Sequence, residues 1–188
     1  IPIIESDFIY AALSGSDFKR EKDNFCSLLG IKDNYGMILV LEFGDALIEG
    51  NLTNPVGISV KAQSFYPAIR ESLKEELDCV VSPIMVNKIV CFLSSDSPQL
   101  GYDDRIELIE KARGLIRDLT RQHEIQFKIG IGSVASIYKL EESYKEALSA
   151  IRNSKSRVAH VKDLSIGCEY EADYPIEIEN ALFEKITR

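Results

Sequence analysis

Apolar positions recur at helical spacing near the start of the chain, where Phe8, Ile9 and Leu13 are followed by Phe18, Phe25, Leu28 and Leu29. Gly15 interrupts this run and Gly30 stands where a helix C-cap takes glycine, so the pattern predicts two short helices, the second over residues 17–29. The period then changes. Residues 35–43, YGMILVLEF, form a near-continuous apolar run of strand length, the pattern of a strand covered on both faces. Residues 44–64 hold three glycines, two asparagines and Pro55, and predict a long connection with an extended piece at 56–60. Pro67 then suits the first turn of a helix with Ile69, Leu73 and Leu77 on one side.

Two apolar runs, 79–85 and 88–94, flank a tight turn at Val86 and Asn87 and predict a hairpin, with Pro83 at an edge or bulge. Asp104 and Glu107 have capping-box spacing at the start of a stripe formed by Ile106, Ile109, Ala112, Ile116 and Leu119. Arg117, Arg121 and His123 fall near the end of that helix, where positive charge suits the helix dipole. A strand over 127–133 (FKIGIGS), an amphipathic helix over 140–154 through Tyr144, Ala147, Leu148 and Ile151, and a strand over 158–164 complete the core. The first six core elements make the split βαββαβ order. The predicted fold class is therefore α/β of the α+β kind, a ferredoxin-like core over 35–164 whose antiparallel sheet carries its crossover helices on one face. After Pro175, a further stripe, Ile178, Leu182 and Ile186, predicts a helix that leads out of the domain.

Composition narrows the class. A chain of 188 residues, 45% hydrophobic and 28% charged, fits one globular domain with extra helices at its ends. Ile1 in place of methionine, and a helical pattern still running at 181–188, read as cut points in a longer protein. No run reaches the ~20 apolar residues of a membrane span, and no basic-then-apolar leader precedes the domain. Cys26, Cys79, Cys91 and Cys168 show no CxxC pair or zinc-ligand spacing. The hairpin turn sets residues 81–83, rather than Cys79, opposite Cys91, so free thiols and a cytoplasmic location are expected. Lys and Arg total 22 against 30 Asp and Glu, a net charge of −8 that opposes direct contact with a phosphate backbone.

Several patterns invite chemistry. Gly130, Gly132 and Ala135 spell GxGxxA, but a dinucleotide fingerprint must open a helix directly after its strand, and here the helix begins several residues later. Close approach of another element to a strand that cannot carry side chains explains the glycines better. His123 and His160, the two histidines, lack partners at ligand spacing; the first reads as a helix-end cation, the second as a strand surface residue. No GxSxG elbow or P-loop occurs, and Glu71, Glu75 and Glu76 read as a solvated helix face.

Residues 128–164, KIGIGSVASIYKLEESYKEALSAIRNSKSRVAHVKDL, carry a G-x-G-S strand, a short spacer and S-Y-x-E-A-x-x-A on the following helix, here Ser143, Tyr144, Glu146, Ala147 and Ala150. This stretch resembles a degenerate GGDEF-type domain of bacterial transcription regulators, and the resemblance extends over 31–166. The flanks DFIYAALSG and YPIEIENALFEKI look like those of AraC-type two-component response regulators. Such proteins place a phosphorylatable receiver before the region and a helix-turn-helix DNA-binding domain after it. The resemblance therefore implies a helical linker over 1–30, a sensing or coupling domain over 31–166 and a linker helix over 167–188.

Active GGDEF domains make cyclic di-GMP from GTP, with carboxylates on the hairpin and the first strand holding divalent metal. The resemblance places Met85, Val86, Asn87, Lys88 and Ile89 where G-G-D-E-F would stand. Bulky side chains replace the glycines, and Asn87 and Lys88 replace the carboxylates. Magnesium needs anionic oxygens, which a lysine repels. Glu42 on the first strand is the one carboxylate near a family metal position. Glu42 with Lys88 reads as an ion pair across neighbouring strands, and the alternative is a vestigial cleft of Glu42, Asn87 and Lys88 that takes a different small ligand.

The expectation is a non-catalytic module with no catalytic, metal or cofactor residues and no cofactor. Its implied partners are the receiver and helix-turn-helix domains of its own chain, with DNA reached only through the latter and no membrane. A homodimer and an unidentified small ligand are open alternatives. The competing readings are a ligand-sensing domain of a sugar-diacid or purine-catabolism type of regulator without a receiver, and a nucleotide-cyclase-related enzyme.

Overall fold

The computed structural model describes residues 2–14 and 18–164. The expected break at Gly15, the thiol of Cys168 and the apolar stripe after Pro175 lie outside the described residues. Helices α1 (Pro2–Ser14) and α2 (Phe18–Leu29) lead into β1 (Tyr35–Gly44). A short hairpin, β2 (Leu47–Ile48) and β3 (Asn51–Leu52), precedes α3 (Pro55–Leu77). Next come β4 (Val80–Val81), β5 (Lys88–Ser95), α4 (Tyr102–His123), β6 (Gln126–Ile131) and β7 (Ala135–Ser136). A 3-10 turn at Ile137–Lys139, α5 (Leu140–Asn153), β8 (Val158–His160) and α6 (Val161–Leu164) follow.

The main sheet has the order β4-β5-β1-β6-β8, with β7 paired to the start of β1. β1 lies antiparallel to both β5 and β6, so β6-β1-β5-β4 is the ferredoxin-like core, and β8 extends it by pairing parallel to β6. Residues of β1 alternate between two cores, as a strand with period two must. Met37, Leu39, Leu41 and Phe43 meet α3 and α4 through Ile69, Leu73, Ile109 and Ile116. Ile38 and Val40 face the other way, into a second core with Phe8, Phe18, Ala147 and Ile151 from α1, α2 and α5. The crossover helices share one face, as expected, and the opposite face is covered as well. No helix among the described residues is long and apolar enough to cross a membrane.

Three local expectations are corrected. Residues 56–60 are helical and Pro67 lies inside α3, because Pro55, not Pro67, takes the first turn. The apolar stripe already begins at Ile58 and Ala62, both buried, and runs on through Ile69 and Leu73. Helix α4 starts at Tyr102 after Gly101, so Asp104 lies within its first turn and caps nothing, and Ile106 is exposed while Leu108 and Leu115 are buried. The last strand ends at His160 and gives way to α6.

The glycines of the GxGxxA pattern do what close approach requires. A Cβ on Gly130 would collide with the Ala147 carbonyl oxygen, and one on Gly132 with the Ser143 carbonyl oxygen, so both admit α5 against the sheet. That approach lets the Ser143 hydroxyl accept from the Ile38 amide at 2.9 Å, and the Glu146 carboxylate accept from the Ser133 amide at 2.9 Å. The serine and glutamate of the S-Y-x-E-A motif are thus clamps between α5 and the strands.

Candidate functional site

The hairpin between β4 and β5 turns through Val86 and Asn87, closed by reciprocal bonds between Met85 and Lys88 at 2.7 and 3.0 Å. Val81 stands directly opposite Cys91, so Cys79 is its diagonal neighbour; both are free thiols, and the hydrogen bond with Cys79, together with burial, raises the Cys91 pKa well above its usual value. Val86 has φ +62°, a region that suits glycine and is an outlier for a β-branched side chain. A strained residue of this kind costs of order 1–3 kcal/mol. Since Val86 is 64% exposed, its side chain gains little burial in return. Val86→Gly is expected to raise the unfolding free energy by about 1 kcal/mol, after allowing for glycine's greater freedom in the unfolded chain. A lowered urea midpoint for the variant would show that the turn is unstrained.

Asn87 is buried, and its Nδ2 donates to the Phe43 carbonyl at 3.1 Å while the Phe43 amide donates to the Asn87 carbonyl at 3.0 Å. These bonds tie the turn to the end of β1. Lys88 Nζ reaches both Asn87 Oδ1, at 3.3 Å, and Glu42 Oε2, at 3.4 Å. The ion pair expected across the strands is present, and the three predicted residues sit together.

Lys128 is the member of this group that sequence reasoning did not single out. Glu42 is in register with Lys88 on β5 and with Lys128 on β6, so the three side chains form a row across the sheet. Lys128 is 1% exposed, and its ammonium donates to Gly50 O at 2.8 Å and to Ile151 O and Ser154 O at 2.5 Å. Burial pulls its pKa below the usual lysine range, and Glu42 opposes the shift. The signal was a lysine in an otherwise apolar strand, because a lysine at a buried position needs partners.

The row is cationic on both sides of one carboxylate, which repels a divalent cation. Among the described residues, no group of three or more His, Cys, Asp or Glu side chains could hold a metal ion. Asn87 spends its donor on the backbone, and Lys128 spends three donors on carbonyls.

The histidines depart from expectation in instructive ways. His123 ends α4 with its ring 4.6 Å from that of Phe65, and burial lowers its pKa, so the neutral form is favoured over a helix-end cation. His160 is 1% exposed rather than on the strand surface. Burial first, then the charges of Arg105 and Lys162, push its pKa down to about 4, and Nδ1 accepts from the Lys162 amide at 3.1 Å. Arg105 meanwhile pairs with the buried Asp163 at 3.3 Å, pinning α6 to α4. Glu71, Glu75 and Glu76 are exposed as expected, whereas Lys74 among them turns inward to Glu5 at 2.7 Å.

A family model described as the GGDEF-like domain matches residues 31–152 of the chain. The match contains the Glu42–Lys88–Lys128 row, the hairpin and most of α5. No match is found among the curated proteins.

Proposed function

Because the chain belongs to the GGDEF-like domain family, we propose that it is a non-catalytic sensing or coupling module of a bacterial two-component response regulator that controls transcription. The observation that carries the non-catalytic reading is the row Lys88–Glu42–Lys128. Two ammonium groups flank the single carboxylate where cyclase chemistry needs a cluster of anionic oxygens. Asn87, at the position of the other expected carboxylate, is a backbone clamp.

In this reading residues 31–166 are the coupling domain, entered by a helical linker over 1–30 and left by a linker helix over 167–188. A receiver domain precedes it and a helix-turn-helix domain, which alone touches DNA, follows. The net charge of −8 supports that division of labour, since an acidic module adds repulsion rather than affinity at a phosphate backbone.

The test is calorimetric titration with GTP in the presence and absence of magnesium, together with an assay for cyclic dinucleotide. The expected result is no product and no affinity that magnesium strengthens. Magnesium-dependent GTP binding in the low micromolar range, abolished by Glu42→Gln, would overturn the reading.

A further inference from the structure

A cavity of about 340 Å³ lies between the last turns of α4 and the segment entering β8. That volume is within the range of small-molecule sites, roughly 300–1,000 Å³. On the helix side Arg113, Arg117 and Arg121 recur every fourth residue and form one ridge, with Thr120 beside it. Arg157 and Ser156 close the opposite side. Four arginines therefore line one pocket of a chain whose net charge is −8.

Their pairing leaves positive charge over. Arg113 meets Glu110 at 3.5 Å and Arg121 meets Asp118 at 2.5 Å, both along the exposed helix surface. Among the described residues, Arg117 and Arg157 have no carboxylate partner. The C-terminal dipole of α4 opposes an anion with only about half an elementary charge, which the two unpaired guanidiniums exceed.

A second observation points into the same cavity. Ser156 is 5% exposed and lines the pocket, yet its hydroxyl has no hydrogen-bond partner. The Thr120 hydroxyl is likewise buried and unpartnered. A buried hydroxyl without a partner is costly, and a ligand oxygen would supply one to each. Guanidinium forks match the paired oxygens of phosphate and carboxylate groups, and Ile116 provides an apolar wall for the body of such a molecule.

We infer that the α4–β8 pocket is a binding site for a small multivalent oxyanion, a phosphate or a dicarboxylate, held by Arg117 and Arg157 with the Ser156 and Thr120 hydroxyls. Occupancy would join α4 to the edge strand next to α6, giving the module a ligand-dependent contact remote from the hairpin. The site does not depend on whether the hairpin is catalytic.

The test is titration of the chain with inorganic pyrophosphate, and separately with succinate, at fixed ionic strength and without divalent cations. Omitting metal makes its outcome separable from that of the GTP and magnesium experiment. Saturable binding of at least one probe is expected. The double variant Arg117→Ala/Arg157→Ala should weaken it at least about tenfold, since hydrogen bonds to charged groups contribute about 1.5–3 kcal/mol each and 1.4 kcal/mol is tenfold. Ser156→Ala should weaken it severalfold. The charge-matched variant Lys32→Ala/Lys145→Ala, on exposed residues outside the pocket, should change it less than about twofold, as screened long-range charge does. Preference for pyrophosphate or for succinate assigns the ligand class. No saturable binding of either probe, or equal weakening by the two double variants, would overturn the site. Melting curves of each variant check that it is folded; no loss is expected for the exposed arginines and lysines, and only a small one for the buried Ser156→Ala, which removes a single oxygen.

Discussion

Lys128→Met is expected to lower the unfolding free energy by about 3–5 kcal/mol, the range seen when one partner of a buried charged network is removed. The methionine would retain most of the aliphatic packing. It would leave Gly50 O, Ile151 O and Ser154 O without their common donor, and a buried unsatisfied group costs about 1–3 kcal/mol. Glu42 would also lose the electrostatic attraction of the Lys128 ammonium. The effect has a location as well as a size. The ammonium joins the β2–β3 turn to the C-terminal end of α5, so hydrogen exchange should rise first in those two segments. Lys88→Ala is the contrast. Its ion pair is 3.4 Å long and its side chain is 31% exposed, so its loss should cost no more than about 1 kcal/mol. Urea unfolding of both variants measures the difference. If Lys128→Met lost less than about 1 kcal/mol, water would have to be satisfying the three carbonyls.

Where burial follows a simple period, the chain was readable. The run YGMILVLEF became a strand covered on both faces because almost every one of its residues is buried, and the split βαββαβ order followed from the sequence of periods. Misreadings arose where two local rules competed. Asn54, Pro55 and Gly57 are breakers when counted as a cluster, but Asn54 takes a left-handed N-cap conformation and Pro55 begins the helix. Glu49 and Gly50, with φ +50° and +82°, make the tight turn of the β2–β3 hairpin that the long-connection reading passed over. In the last strand, the apolar pattern VAHVKDL does not distinguish a longer strand from a short strand that turns into a helix.

The candidate site divides the same way. The Glu42–Lys88 pair was legible through the GGDEF resemblance, which set Glu42 on the first strand and Lys88 at the hairpin as neighbours; turn position alone fixes the β4–β5 register and not that of β1 against β5. Lys128 and the α4–β8 pocket were not. A row of arginines near a helix end has a sufficient local explanation in the dipole, and nothing in the sequence shows that Ser156 and Arg157 will be brought across from the α5–β8 connection. Such sites are made by tertiary juxtaposition, which periodicity does not encode.

Glu5→Gln is expected to detach α1 from the domain while leaving the sheet intact. Glu5 is 1% exposed on the buried side of that helix, in step with Phe8, Ile9 and Ala12 at helical spacing. One carboxylate oxygen accepts from Arg70 Nη2; the other meets Lys74 Nζ at 2.7 Å and the Val81 amide at 3.0 Å. A single side chain therefore joins α1 to α3 and to the edge strand β4 that leads into the hairpin. Burial alone would raise its pKa, but the Lys74 hydrogen bond, the Val81 amide and the charges of Lys74 and Arg70 outweigh burial, and the carboxyl sits below its usual value. With the folded pKa depressed, this stability is present above the ordinary carboxyl pKa of 4.5 and is lost as pH falls through the folded value. The neutral isostere should remove that acid dependence. Breaking a buried pair costs about 3–5 kcal/mol; Arg70 and Lys74 are 21% and 34% exposed and can turn toward water, which places the loss nearer about 2–3 kcal/mol. Hydrogen exchange separates local from global effects, with residues 2–14 and 80–81 losing protection well before β1 and β6. If the chain works in a transcription regulator as proposed, the same variant should blunt transmission of the upstream signal measured by a promoter reporter, because α1 would be the element through which a preceding domain pulls on β4. Uniform destabilisation of the sheet, or an unchanged reporter response with α1 demonstrably loosened, would remove Glu5 from the coupling route.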